Sequence, residues 1–74
     1  MKTVYVFSSF LPFQPEHIEV VSTTRKAGEK ALRMQFPHMK ATGDDTYILD
    51  ARLKILNREH KLLGNVREYP LIEK

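Results

Sequence analysis

The chain has no cysteine, and its 74 residues are enough for only one small hydrophobic core. Neither a disulfide framework nor a cysteine zinc site can therefore reinforce that core. Hydrophobic residues make up 42% of the chain and charged residues 28%, which is ordinary globular usage and argues against disorder. We expect one domain over residues 1–74, with a looser C-terminal extension over residues 66–74.

The sequence contains no segment suited to a membrane. No stretch approaches the ~18 apolar residues needed to cross a bilayer. Ser8 and Ser9 interrupt the apolar run near the N-terminus, and no small-residue cleavage site of a secretion signal follows them. Because the absence of cysteine also gives no support to an oxidising compartment, we expect a soluble cytoplasmic protein without a membrane partner.

The first quarter of the chain has the composition of two strands. Residues 2–7 are rich in β-branched and aromatic side chains, which predicts a strand. Residues 17–22 alternate, with Ile18 and Val20 on one face, and this period predicts a second, half-buried strand paired with the first. Residues 8–15 contain two prolines and are too many for a tight turn, so we expect an irregular loop.

A helix is predicted next, over residues 25–35. Ser22, Thr23 and Thr24 offer capping hydroxyls just before a segment of strong helix formers, and Pro37 stops the helix. Gly28 weakens the helix by about 1 kcal/mol relative to alanine, so it indicates close packing against the sheet. The inner face is predicted to carry Ala27, Ala31, Leu32 and Phe36, with Met34 at its margin.

The second half of the chain has two interpretations. Every odd position from Tyr47 to Ile55 is apolar, which predicts a strand, with a turn near residues 57–60 and a return strand through Leu62, Gly64 and Val66. Alternatively, Asp50 caps a second helix at about residues 51–63. We favour the hairpin because the alternation is complete over five positions. In either case, Pro70 is expected to end any strand.

These elements predict an α+β fold, a small antiparallel sheet in the order strand, strand, helix, strand, strand, with the helix packed on one face. The other face is left partly open. In so small a protein, an open face can be solvated, bind a partner or pair with a second copy, so we expect a monomer or a homodimer.

Basic residues form the first candidate site. The net charge of +3 permits nucleic-acid binding without requiring it. Lysines and arginines could contact phosphates, while Tyr5 or Tyr47 could stack on unpaired bases; the competing interpretation is that these cations only solubilise exposed faces. The candidate contacts are Arg25, Lys26, Lys30, Arg33, Arg52 and Lys54, with Arg58 and Lys61 nearby in the sequence.

The loop over residues 10–15 forms the second candidate site. Phe10, Leu11 and Phe13 are large apolar side chains in a segment that strand periodicity cannot bury. A proline-stiffened apolar loop suits a protein contact, because aromatic anchors dominate interface energies. The competing interpretation is that Phe10 and Phe13 fold back to cover the small core.

Catalytic and cofactor motifs are weak or absent. Asp45 or Asp50 together with Glu59, His60 and Lys61 only loosely imitates a metal-dependent nuclease. The three histidines have no ligand spacing and the three glycines are isolated, so the sequence predicts no metal site and no cofactor.

The function predicted first is a small non-enzymatic binding module that contacts nucleic acid through a basic surface. The alternative is a protein-interaction or inhibitor module that uses the loop over residues 10–15 and an exposed strand edge. A small metal-dependent nuclease ranks third.

Overall fold

A computed structural model of the chain describes residues 2–72, which form a five-stranded antiparallel sheet with one helix. The strand order across the sheet is β2-β1-β5-β4-β3. The predicted α+β class is confirmed, and the second half forms the hairpin rather than a helix. The elements are β1 (Lys2–Phe10), β2 (His17–Ser22), α1 (Arg25–Gln35), β3 (Lys40–Ala41), β4 (Thr46–Ile55) and β5 (Arg58–Leu71).

β2 pairs with β1 as predicted, but a bulge interrupts the alternation of its side chains between the two faces of the sheet. Phe7 pairs with Val20, whereas the next residue, Ser8, pairs with Ile18, so Glu19 is the extra residue. Val20 packs against the core, while Ile18 lies on the opposite face and is 69% exposed. The prediction that Ile18 and Val20 share a face is therefore wrong, because a bulge resets the alternation of a strand.

The helix begins and ends where its sequence predicts. The Thr24 hydroxyl accepts a hydrogen bond from the Ala27 N–H at 3.2 Å, which caps the first turn. At the other end, the Phe36 N–H donates to the Leu32 carbonyl at 2.9 Å before Pro37 stops the helix. Gly28 and Leu32 are its buried residues, whereas Ala27 is exposed, so the buried stripe is rotated from the predicted one.

The core lies between α1 and one face of the sheet. Phe7, Leu32 and Leu49 are its fully buried large side chains. Gly28 allows the helix to approach β1 closely, because a Cβ atom at this position would lie 2.1 Å from Cε1 of Phe7. The core cluster consists of Phe7, Leu32, Met39, Tyr47, Leu49 and Val66.

β4 and β5 are joined by a two-residue turn. Ile55 pairs with Arg58, and the residues between them, Leu56 and Asn57, have φ angles of 52° and 65°. Positive φ at both central positions is the signature of a type I′ turn, whose twist matches that of the flanking strands. The turn thus lies slightly before the predicted residues 57–60.

β5 continues through Pro70, contrary to the prediction that this residue ends the strand. The Val66 N–H donates to the Asp45 carbonyl, so the backbone groups of Val66, and by alternation those of Pro70, point away from β1. The N–H that proline lacks would face an unpaired edge, so no ladder bond is lost. Residues 66–71 are therefore paired rather than loose, while residues 73 and 74 lie outside the described part of the chain.

The sheet is elongated because β5 is much longer than its neighbours. The chain measures 49 × 22 × 19 Å along its principal axes. Within residues 2–72, no helix has the length and apolar character required to span a bilayer.

Candidate nucleic-acid interface

One end of the β4–β5 hairpin extends beyond the rest of the sheet. β1 pairs with β5 only as far as Leu63, and β3 pairs with β4 only as far as Ile48. Residues 49–62 therefore form a two-stranded ribbon. We call its outer part, residues 51–61, the arm, because Leu49 and Leu62 still pack in the core. The five residues of the arm on the β4 side span about 16 Å at the usual rise of a strand.

The arm concentrates the charge of the protein. It contains four cations and one carboxylate, Glu59, whereas the whole chain has 12 basic and nine acidic residues. The rest of the chain, which includes Asp50 at the base of the arm, has eight basic and eight acidic residues, so the formal net charge of +3 equals that of the arm. Within residues 2–72, none of its cations forms an ion pair. These four exposed cations are Arg52, Lys54, Arg58 and Lys61.

The two faces of the arm differ. Lys54 pairs with Glu59, and Lys61 lies two residues further along the same strand face. The other face carries Leu53 paired with His60, both half-buried, and Ile55 paired with the exposed Arg58 near the tip. The arm thus has a charged face turned to solvent and a less polar face that makes contact with the protein.

The loop over residues 11–16 supports the less polar face of the arm. The Phe13 ring meets the His60 imidazole edge to face, with centroids 5.2 Å apart. Phe13 is still 57% exposed, Phe10 is half-buried and Leu11 is only 7% exposed. Of the three residues predicted to contact a protein, Leu11 therefore has little surface left for a partner, while Phe13 has both a neighbour and an exposed part.

Arg25 has a structural role at the opposite end of the sheet. Its Nη1 lies 3.1 Å from Oδ1 of Asp45, its Nη2 donates to the Asp44 carbonyl, and its Nε lies 3.7 Å from Oε1 of Glu29. Glu29 also accepts a hydrogen bond from the Tyr47 hydroxyl at 2.7 Å. These contacts join the start of the helix to the start of β4, so the guanidinium predicted to bind phosphate is already occupied.

The environment of Tyr47 favours its neutral phenol. Burial raises the pKa of Tyr47, and the hydrogen bond to Glu29 raises it further, while the nearby Arg25 guanidinium opposes both effects. Tyr47 is a core residue, so it cannot stack on a base, and the stacking hypothesis is wrong for this residue. Tyr5 is half-buried and packs against the same core.

The remaining predicted cations lie on the helix. Lys26, Lys30 and Arg33 are exposed and form a stripe along its outer surface. The helix covers the sheet face of Phe7, whereas the cross-strand register places Lys54 and Lys61 on the other face. The six predicted contacts are therefore not brought together. Arg25 links the helix to the start of β4, three lie exposed on the helix and two lie on the arm.

The acidic residues considered for a nuclease do not converge. Asp45 precedes β4 and binds Arg25, whereas Glu59 follows the turn at the far end of this ten-residue strand, about 30 Å away. Asp50 accepts a hydrogen bond from the Arg52 backbone N–H at 2.9 Å. No group of three His, Cys, Asp or Glu that could hold a metal ion is present among the described residues.

The sheet face turned away from the helix forms a second surface. Ile18 and Val21, the latter 58% exposed, lie beside Val6 on this face, and Val4 pairs with Tyr69 nearby. The Arg67 guanidinium on the same face is bound by both carboxylate oxygens of Glu16, at 3.1 and 3.3 Å. We call this surface the open face.

Sequence reasoning missed one exposed residue of the arm, Leu56 at its tip. The signal available was its position next to Asn57, a residue that tolerates left-handed backbone, between two alternating segments. No protein-family model matches the chain, and comparisons with curated proteins and with solved structures gave no significant match. What the chain does is therefore inferred from its own side chains.

Proposed function

We propose that this chain is a non-enzymatic, cytoplasmic nucleic-acid-binding domain whose main contact element is the arm. The observation that carries the proposal is that the formal net charge of the chain equals that of the arm, which projects from the sheet. Cations without carboxylate partners are the groups that neutralise phosphates and release their counterions.

The shape of the arm favours a duplex over a single strand. A two-stranded β-ribbon is among the elements that enter a groove of double-stranded DNA. Single-strand binders instead rely on exposed aromatic platforms. Here Tyr47 belongs to the core and Tyr5 packs against it, so neither of these rings can serve as such a platform.

The helix stripe is a secondary contact in this proposal. Lys26, Lys30 and Arg33 are exposed, but acidic side chains outside the arm balance the charge of the rest of the chain. They also lie on the other side of the sheet from Lys54 and Lys61. A rigid duplex held by the charged face of the arm would reach them only in part.

The test compares two matched charge removals. Lys54→Gln with Lys61→Gln neutralises the arm, and Lys26→Gln with Lys30→Gln removes the same charge from the helix. We expect the arm variant to bind a duplex at least about tenfold more weakly and to reduce the slope of log K against log salt by about two. The helix variant should lose less than about threefold, because its contacts are secondary.

Glutamine is preferred to glutamate in this test, because a glutamate at position 54 would directly face Glu59 and destabilise the arm. Far-ultraviolet circular dichroism checks that both variants fold. Equal losses in the two variants, or binding that does not depend on salt, would contradict the proposal.

A protein contact is the second candidate, favoured by the exposed Ile18 and Val21 on the open face. A second copy of the chain is the first partner to test, because apolar faces can cover each other and Arg67 is already paired with Glu16. This candidate predicts a dimer by light scattering that becomes monomeric in Ile18→Asp with Val21→Asp. A monomer at high concentration rejects self-association.

A further inference from the structure

The tip of the arm carries a leucine where the backbone favours other residues. Leu56 is 92% exposed and has a φ of 52°, and Asn57 follows with a φ of 65°. Asparagine and glycine are the usual residues of a turn with this geometry. A leucine is disfavoured there, because its Cβ crowds the backbone in the left-handed region.

Leu56 also makes no contribution to the hydrophobic core. It is the most exposed of the large hydrophobic side chains in the described part of the chain, and the core cluster does not include it. The left-handed backbone of this leucine costs stability, and packing in the core cluster does not offset that cost. A role in contact with another molecule explains its presence, since backbone outliers often occur at functional sites.

We propose that Leu56 is a wedge that inserts between base pairs of a duplex, from the minor groove, and kinks it. Apolar side chains that unstack a base step in this way are typical of minor-groove proteins that bend DNA. This inference rests on the proposed function of the arm. It adds that the arm deforms the duplex instead of only lying along it.

The neighbours of Leu56 suit this role. Lys54 precedes it by two residues and Arg58 follows it by two, so a cation lies on each strand beside the tip, one on each face of the arm. These cations can contact the phosphates on either side of an opened step. Asn57, next to the wedge, offers an amide of the kind that reads base edges in the minor groove.

A lipid surface is a less suitable target. Stable membrane anchoring needs more apolar surface than one leucine buries, or a second signal. Ile55, the next apolar residue of the arm, is half-buried in the protein. The tip thus presents one apolar side chain, which matches a single base step better than a bilayer.

The experiment measures bending and binding separately. A duplex of about 30 base pairs with a fluorophore at each end reports its end-to-end distance by energy transfer. The wild-type chain should increase the transfer, in keeping with a kink of about 20–90°. Leu56→Asn, at a concentration that saturates the duplex, should lose the increase, and Leu56→Met should retain it, since methionine is also found as a wedge.

Each outcome decides a different claim. Binding with no bending, or equal bending by wild type and Leu56→Asn, overturns the wedge and leaves the proposed function intact. No duplex binding by the wild-type chain overturns both. Vesicles of phosphatidylcholine and phosphatidylserine serve as the comparison: if Leu56→Asn loses vesicle binding while duplex bending is unchanged, the tip contacts lipid and the wedge is rejected.

Discussion

The ring of Phe7 occupies the space that a side chain at Gly28 would need, since a Cβ atom on Gly28 would lie 2.1 Å from Cε1 of Phe7. Phe7 is completely buried in the middle of β1, so its ring has no open space into which it can move. The same Cβ would also lie 2.5 Å from the Ser22 hydroxyl oxygen. This contact sets the distance between the helix and the sheet.

Gly28→Ala should therefore destabilise the protein, although alanine is the better helix former. Overpacking costs about 3 kcal/mol at the upper end of its usual range, and the gain in helix propensity is about 1 kcal/mol. We expect a net loss of about 2 kcal/mol in the free energy of unfolding, measured by urea denaturation. Ala27→Gly, on the exposed side, is the control and should lose about 1 kcal/mol. A rise in stability for Gly28→Ala would contradict the packing described.

Tyr47→Phe should remove a component of stability that depends on pH. The pKa of Tyr47 is raised in the folded chain by burial and by its bond to Glu29, so the folded state holds the phenol proton more tightly than the unfolded state. Its contribution is complete below about pH 10, the ordinary tyrosine pKa, and is lost as the pH rises through the folded value.

Below about pH 10, Tyr47→Phe should be less stable than the wild type by about 1 kcal/mol, the usual value of one hydrogen bond. Above that pH, the difference should shrink, because only the wild type loses the contribution of Tyr47. Thermal unfolding across this range measures the difference. Tyr69→Phe, at an exposed position, is the control, and a difference for Tyr47→Phe that stays constant with pH would refute the prediction.

Leu56→Asn should stabilise the fold. Left-handed backbone costs a residue with an ordinary side chain roughly 1–2 kcal/mol, and asparagine tolerates it better. We expect a gain of about 1 kcal/mol in the free energy of unfolding. Asn57→Ala is the converse control and should lose a similar amount, since φ at this position is 65°. A lower stability for Leu56→Asn would show that the leucine supports the hairpin.

Phe13→Ala should loosen the arm without unfolding the domain. A two-stranded ribbon is marginally stable alone, and the contact of Phe13 with His60 supports it from one side. Amide exchange of residues 52–61 should accelerate about three- to tenfold, in line with an aromatic contact of about 1 kcal/mol. Exchange in β1 should stay unchanged.

Ile18→Ala is the matched control for Phe13→Ala, because Ile18 is also exposed and apolar but lies on the edge strand β2. It should leave the exchange rates of the arm unaffected. A large fall in the thermal midpoint of Phe13→Ala would instead place its ring in the main core.

Local patterns predicted the elements of this fold well where their cause was local. The alternation from Tyr47 to Ile55 indicated the hairpin, and the Thr24 cap and Pro37 defined the helix. Ile18 was misplaced because a bulge depends on how β2 fits β1, not on the composition of β2. Pro70 was misjudged because the direction of its missing N–H depends on which side of β5 is paired.

Only part of the candidate site could be predicted from local sequence patterns. The sequence shows directly where the arm cations lie, and its alternation predicts that Lys54 is a surface residue. The sequence does not show that Arg25 is bound to Asp45, twenty residues away. It also does not show that the helix cations are separated from those of the arm, since this separation follows from the cross-strand register.

By itself, the sequence determined a small α+β fold with one capped helix and a modest positive charge, and it favoured a hairpin over a second helix after Tyr47. Propensity, capping and alternation act over a few residues, so they are encoded locally. Only the tertiary structure decided that the arm, which carries the net charge, extends beyond the sheet and that Leu56 lies exposed at its tip. It also decided that Arg25 binds Asp45 and so links the helix to β4. These outcomes depend on strand pairing between distant segments, which sets which side chains meet and which remain free to bind another molecule.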